Sequence, residues 1–208
     1  PIVDSLKGVK PYYGAQSRYY LKWGSHLDRP RDIALFKGEK LIITRSWPVK
    51  VFLAFNTTLF DGNFFIFKLK ENYPNRYLQL FEAILNSKLA QFYLGVKYLL
   101  RGKGNYSKVN LKHLRQFPIP DIENKHEIID PIIEKVKLLE TFDSYTMSTN
   151  MKIVKDEIDD LIYRLYDLDY YAANQVEHYS RLEKVKKTEF VTYEEIREYG
   201  QEFIETFQ

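Results

Sequence analysis

Three short stretches of the chain hold side chains suited to gripping a polyanion. The first is the loop Arg101-Gly102-Lys103-Gly104-Asn105-Tyr106-Ser107-Lys108, followed four residues on by Lys112. Its glycines let backbone N–H groups approach a ligand closely, and Arg101, Lys103, Asn105, Tyr106, Lys108 and Lys112 all carry side-chain donors. The same residues also read as a tight connection whose lysines are merely solvated. The second stretch is Arg29-Pro30-Arg31, two guanidinium forks on a turn stiffened by proline. Such forks fit phosphate oxygens or the O6/N7 edge of guanine, and equally fit salt bridges to Asp28 and Asp32. The third is Arg45-Ser46-Trp47-Pro48, closed by Lys50. An arginine, a hydroxyl and an indole on one turn suit the reading of base edges, while Trp47 reads as well as a lid on the core.

Charge sorts the chain into two halves. Residues 1–115 carry 20 Lys and Arg against 7 Asp and Glu, an excess of 13; the remainder carry 11 against 21, a deficit of 10, which leaves the net +3. A front half this basic is the electrostatic footprint of a nucleic-acid surface. The competing reading is a generically basic fold balanced by an acidic helical pack. With 45% hydrophobic residues the chain forms a packed core and is not disordered. It has no cysteine, which excludes disulfides and thiolate metal sites. No apolar run approaches the roughly 18 residues of a membrane helix, so no membrane partner is expected. The first residue is Pro1 rather than Met, which reads as a fragment of a longer, cytoplasmic protein.

The elements that must position these stretches follow from periodicity. Leu78, Phe81, Leu85, Leu89, Phe92, Val96 and Leu99 recur every three or four residues, which predicts one long amphipathic helix over 76–100 with Asn75 as its cap. Upstream, Lys40–Arg45, Val49–Phe55 and Phe64–Leu69 predict a β-meander with a turn at Asp61-Gly62-Asn63. Downstream, Asp130 with Pro131 predicts a helix start, Ile132, Ile133, Val136 and Leu139 its apolar stripe, and Met151–Leu168 a second helix packed antiparallel to it. Thr192 and Glu195 form a capping box for a last helix reaching about Phe207. The expected class is α+β: a twisted antiparallel sheet on a long helix, then a C-terminal helical pair or bundle. Residues 1–120 are expected to form one unit and residues 121–208 a helical region.

Several of these residues also carry a family likeness. The run LF-x-x-ILNSKL-x-x-FY from Leu80, then KG-x-Y-x-K-V-x-L-x-x-L from Lys103, then Phe117-Pro118-Ile119-Pro120, resembles the TaqI-like C-terminal specificity domain. The segment from Leu27 to Arg31 and from Leu35 to Arg45 is similar to what precedes those motifs in the family. The likeness spans roughly Lys10 to Leu168, and the helical pair after FPIP resembles the helices that follow target-recognition domains in type I specificity subunits. The resemblance implies double-stranded DNA as partner. It also implies an adenine-specific methyltransferase domain N-terminal in the same polypeptide, as in type IIG restriction–modification enzymes. S-adenosylmethionine would bind that domain and not this chain. The DNA contacts would come from Arg29, Arg31, Arg45, Trp47, Lys50, Arg101, Lys103, Asn105, Tyr106, Lys108 and Lys112.

Catalytic motifs are missing from the chain itself. No two prolines are adjacent, so the (Asp/Asn/Ser)-Pro-Pro-(Tyr/Phe) motif that holds a target amine is absent. Gly102-x-Gly104 lacks the third glycine and the helix of a cofactor-binding turn. Pro120-Asp121 and Glu123-Asn124-Lys125 match the letters of a PD…(D/E)xK nuclease, but Ile122 alone separates them, too little chain to converge on a metal. His26, His113, His126 and His178 are scattered and read as surface or capping histidines. The function expected is sequence-specific DNA recognition within a restriction–modification enzyme. The alternatives are a protein-interaction module docking a larger complex, or a piece of a type I specificity subunit.

Overall fold

The computed structural model describes residues 2–3, 9–15, 22, 24–27, 32–55, 57, 59–60, 62–99, 108–142 and 149–185. The strands are β1 (Ile2–Val3), β2 (Val9–Lys10), β3 (Gly14–Ala15), β4 (Lys40–Thr44), β5 (Val51–Ala54), β6 (Leu59–Phe60) and β7 (Phe64–Phe67). The α-helices are α1 (Tyr77–Asn86), α2 (Lys88–Leu94), α3 (Leu111–Arg115), α4 (His126–Thr141), α5 (Thr149–Leu165) and α6 (Tyr170–Val185). The class is α+β, with a three-stranded antiparallel sheet laid on helices.

The sheet is not the expected meander. Its order is β5-β4-β7, so the first of the three strands lies in the middle. Lys40 faces Ala54 and Ile43 faces Val51 on one side of β4; Leu41 faces Phe67 and Thr44 faces Phe64 on the other. The composition of β4 explains its place: every residue of Lys-Leu-Ile-Ile-Thr is buried, as a strand covered on both faces must be. Leu41 and Ile43 join Val49 and Val51 in the main core against the helices. Ile42 points the other way, into a small cluster with Val9, Phe52 and Phe64.

The outer edge of β5 is closed by side chains from the helices. Val49 N–H donates to Gln91 Oε1 at 3.1 Å, Val51 N–H to Asn86 Oδ1 at 2.9 Å, and Leu53 N–H to Glu82 Oε1 at 3.2 Å. Gln91 and Asn86 also donate back, to Val49 O at 3.2 Å and Val51 O at 2.9 Å. Carboxamides thus stand in for a missing neighbouring strand, covering an edge that would otherwise invite pairing with another chain.

The expected long helix is two helices. Ser87 ends α1 and starts α2: its hydroxyl donates to Ile84 O at 2.7 Å and accepts from Ala90 N–H at 3.1 Å. The apolar stripe continues through this break, which is why periodicity does not reveal it. A π-turn, Gly95–Leu99, follows α2. Nor does Asn75 cap α1; its backbone carbonyl accepts from Leu78 N–H at 2.9 Å, and the capping position belongs to Arg76.

Helix α4 begins at His126, four residues before the expected start, with Pro131 inside it. Ile128 and Ile129 are buried ahead of the proline, and burying two isoleucines outweighs the single bond that proline removes. Asp130 instead pairs with Arg76 at 2.9 Å. Lys125 reaches Leu165 O at 2.9 Å and Lys135 reaches Glu157 at 2.6 Å, so α4 and α5 run antiparallel as expected. Helix α6 lies where no helix was expected. Asp169 Oδ1 accepts from Ala172 N–H at 2.7 Å at its start, and Ala172, Val176 and Tyr179 bury one face against the core. Thr192 and Glu195 lie outside the described residues.

Candidate nucleic-acid interface

The turn between β4 and β5 is built by Thr44. Its hydroxyl accepts from Lys50 N–H at 2.8 Å across the turn, whose Trp47-Pro48 peptide is cis. Arg45 is braced against the turn before β7: its N–H donates to Asn63 O at 2.9 Å and its Nη1 to Gly62 O at 2.8 Å. Its guanidinium lies 5.3 Å from the Phe65 ring centroid, a cation–π distance.

A distant segment docks on this turn. Ser46 and Lys108 form an antiparallel bridge, and Val109 N–H donates to Arg45 O at 2.7 Å. Val109 is fully buried and anchors the contact. The end of the glycine–lysine loop is thereby pinned beside Arg45, sixty residues away in sequence. Helix α3 follows at once and carries Lys112 and Arg115, both exposed.

The other two residues expected in this turn point their reach inward. A Cβ on Gly95 would lie 2.9 Å from Trp47 Cζ2 and 2.6 Å from the Tyr179 hydroxyl, so Trp47 packs tightly over that glycine. Lys50 Nζ donates to Val9 O at 3.1 Å. The structure therefore brings Arg45, Lys108 and Lys112 into one neighbourhood and turns Trp47 and Lys50 toward the fold. Arg29, Arg31, Arg101, Lys103, Asn105 and Tyr106 lie outside the described residues.

A cation–aromatic cluster flanks α3 and was not anticipated as part of the site. The Tyr98 and His113 rings stack at 4.3 Å and 3°. Tyr98 meets Tyr93 edge-on at 6.2 Å, and Tyr93 meets the buried Phe117 edge-on at 5.4 Å. Lys97 Nζ donates to the Tyr93 hydroxyl at 2.7 Å. Burial, and then Tyr93, push the Tyr98 phenol up to about 12, so it stays a neutral donor, here to Gln116 Oε1 at 3.3 Å. His113 Nδ1 accepts from Asn110 N–H at 3.2 Å, closing the start of α3. The sequence signal for that contact was the Asn-x-x-His spacing, an analogue of the Ser/Thr-x-x-Glu/Gln capping box.

Among the described residues, no carboxylate lies within ion-pair distance of Lys97, Lys108, Lys112 or Arg115. Lys97 is engaged by the Tyr93 hydroxyl and ring instead. Asp121, of the nuclease-like letters, is engaged in its own turn: it accepts from Glu123 N–H at 2.9 Å and from Asn124 Nδ2 at 3.1 Å, which hold its carboxyl below the usual range. No helix among the described residues is long and apolar enough to cross a membrane.

Residues 4–119 match the family model of the TaqI-like C-terminal specificity domain. The chain belongs to that family. Its role is DNA target recognition in restriction–modification. The matched span ends at Ile119, inside FPIP, and includes the sheet, α1, α2, the pinned turn and α3. No curated protein matches the chain.

Proposed function

We propose that this chain is the sequence-reading part of an adenine-specific DNA methyltransferase of the type IIG restriction–modification kind, acting in the cytoplasm. In this reading the methyltransferase domain lies N-terminal in the same polypeptide, binds S-adenosylmethionine and flips the target adenine from the duplex. Residues 1–120 grip the DNA, and residues 121–208 brace that unit against its partner. Cations on the Arg45–Lys108 edge and on α3 contact phosphates and give affinity. Base edges are read from the turns around Arg29–Arg31, Arg45–Lys50 and Arg101–Lys108.

The observation that carries this reading is the Ser46–Lys108 bridge in a specificity-family domain, which sets two of the predicted DNA-facing stretches side by side. The test is duplex binding by the 208-residue chain over a range of salt, with Lys103→Ala/Lys108→Ala alongside. Log affinity should fall linearly with log salt, and the double variant should flatten the slope by about two counterions. Binding indifferent to salt, or a slope untouched by the variant, overturns the reading.

A further inference from the structure

We propose that His113 is a DNA-backbone contact that donates its Nε2–H, as a neutral imidazole, to a phosphodiester oxygen. The inference rests on the target-recognition reading above and adds a residue and a chemistry to it.

Geometry sets the tautomer. Asn110 N–H points at Nδ1 from 3.2 Å, so that nitrogen carries no proton and the ring's single N–H is on Nε2. Burial and then the adjacent Lys112 ammonium hold the imidazole pKa below its ordinary 6.5, in keeping with a neutral ring. Among the described residues nothing accepts from Nε2, and the side chain is half-buried, with part of its surface open to solvent.

The ring is also held still. Phe117, Tyr93, Tyr98 and His113 form a ladder of ring contacts at 5.4, 6.2 and 4.3 Å that runs from the core to the surface. Gln116 holds the Tyr98 hydroxyl and Lys97 holds that of Tyr93. A donor fixed in this way loses little rotamer freedom on binding. Its surroundings select an anion: Lys112 precedes it, Arg115 follows two residues later, Lys108 starts the segment, and no described carboxylate pairs with any of them. A neutral donor among cations adds a directed hydrogen bond without adding to the counterion count.

That distinction supplies the test. Binding of a mixed-sequence duplex by the 208-residue chain is measured against salt for wild type, Lys108→Ala/Lys112→Ala, and His113→Ala, His113→Gln and His113→Glu. Thermal unfolding is followed for each. The lysine pair should lower the salt slope by about two. His113→Ala should lower affinity about ten- to a hundredfold with the slope unchanged, as loss of one hydrogen bond to a charged acceptor does. Gln can accept from Asn110 N–H through Oε1 and still donate through its amide, so it should return affinity to within about twofold. Glu keeps the cap but offers no donor, so it should bind more weakly than Ala. If Glu binds as well as Gln, His113 is only a cap and the proposal fails. It fails also if His113→Ala binds like wild type while the lysine pair flattens the slope, and the target-recognition reading then survives. If wild type shows no salt-dependent binding, both fall together.

Discussion

Lysines serve two opposite ends in this molecule. In the helical pack three of them are held by carboxylates. Lys88 reaches Asp156 and Glu177 at 2.8 Å each and Asp159 at 3.4 Å, and its own N–H donates to Asp159 at 2.9 Å. Lys125 pairs with Asp167, and Lys135 with Glu157. On the α3 edge, Lys97, Lys108, Lys112 and Arg115 stand without an acidic partner among the described residues. The charge split of the sequence, +13 before residue 116 and −10 after it, thus has a structural meaning. Acids of the C-terminal half neutralise Arg76 and Lys88 of the basic half, whereas the cations of the α3 edge have no described carboxylate beside them.

The comparison breaks most visibly at Lys88. Asp159 is nearly fully buried; desolvation pushes its carboxyl up to about 6, against the pull of Lys88. Lys88→Ala removes that pull and leaves three acids, Asp156, Asp159 and Glu177, facing one another. Truncating one partner of a buried pair costs about 3–5 kcal/mol, and a loss of about 4 kcal/mol in urea unfolding at pH 8 is expected. The sign with pH follows. Without Lys88, Asp159 holds a proton more tightly in the folded state than in the unfolded one, so stability rises as pH falls. The deficit should therefore shrink by pH 5. A loss under about 1 kcal/mol, or one indifferent to pH, would mean that the lysine is surface decoration like any other.

Glu82 marks a third solution, a buried acid that is discharged. Burial, and then Glu140, push its carboxyl up to about 8, against the Leu53 N–H that its Oε1 accepts; Oε2 has no hydrogen-bond partner. Because the folded value lies above the ordinary 4.5, folding takes up a proton between about pH 4.5 and 8. Its contribution is full below that window and lost as pH rises through it. Glu82→Gln keeps the acceptor for Leu53 and removes the ionisation. At about 1.4 kcal/mol per pKa unit, the variant should match wild type at pH 4.5 and exceed it by roughly 4 kcal/mol at pH 9. Equal stability at both pH values would show that the carboxyl ionises at no cost where it lies.

These roles bear on what could be read from the chain beforehand. The family-bearing run ILNSKL was legible as apolar helix, yet its polar residues proved to be sheet closers and caps. Asn86 holds β5, Ser87 separates two helices, and Lys88 organises three acids. A pattern of apolar spacing is blind to such work: the partners of Asn86 and Lys88 lie some 35 to 90 residues away, and Ser87 breaks the helix without interrupting the stripe. The buried β4 strand was legible as a strand, but a run of Leu-Ile-Ile does not say which neighbours flank it, and the meander order was wrong for that reason. Helix α6 opens on the exposed Tyr170 and Tyr171, which hide its start, although Asp169 ahead of Ala172, Val176 and Tyr179 was a usable signal. Of the site, Arg45, Lys108 and Lys112 were legible as cations in turns. Their meeting through Ser46, and the ladder behind His113, depend on long-range contacts that no local rule reaches.

The smallest expected effect sharpens the comparison best, through two single substitutions, Lys112→Ala on α3 and Lys135→Ala on α4. Lys135 belongs to a partly exposed pair with Glu157, and such pairs contribute about 0–1 kcal/mol. Lys112 makes no ion pair with a described residue, and its loss should change stability by less than about 0.5 kcal/mol. Unfolding measurements should therefore scarcely tell the two apart. Duplex binding should: Lys112→Ala is expected to reduce the salt slope by about one, with Lys135→Ala leaving it unchanged. Equal effects of the two lysines on the slope would mean that the duplex senses only total charge. The difference between the α3 edge and the helical pack would then be one of packing, with no part in recognition.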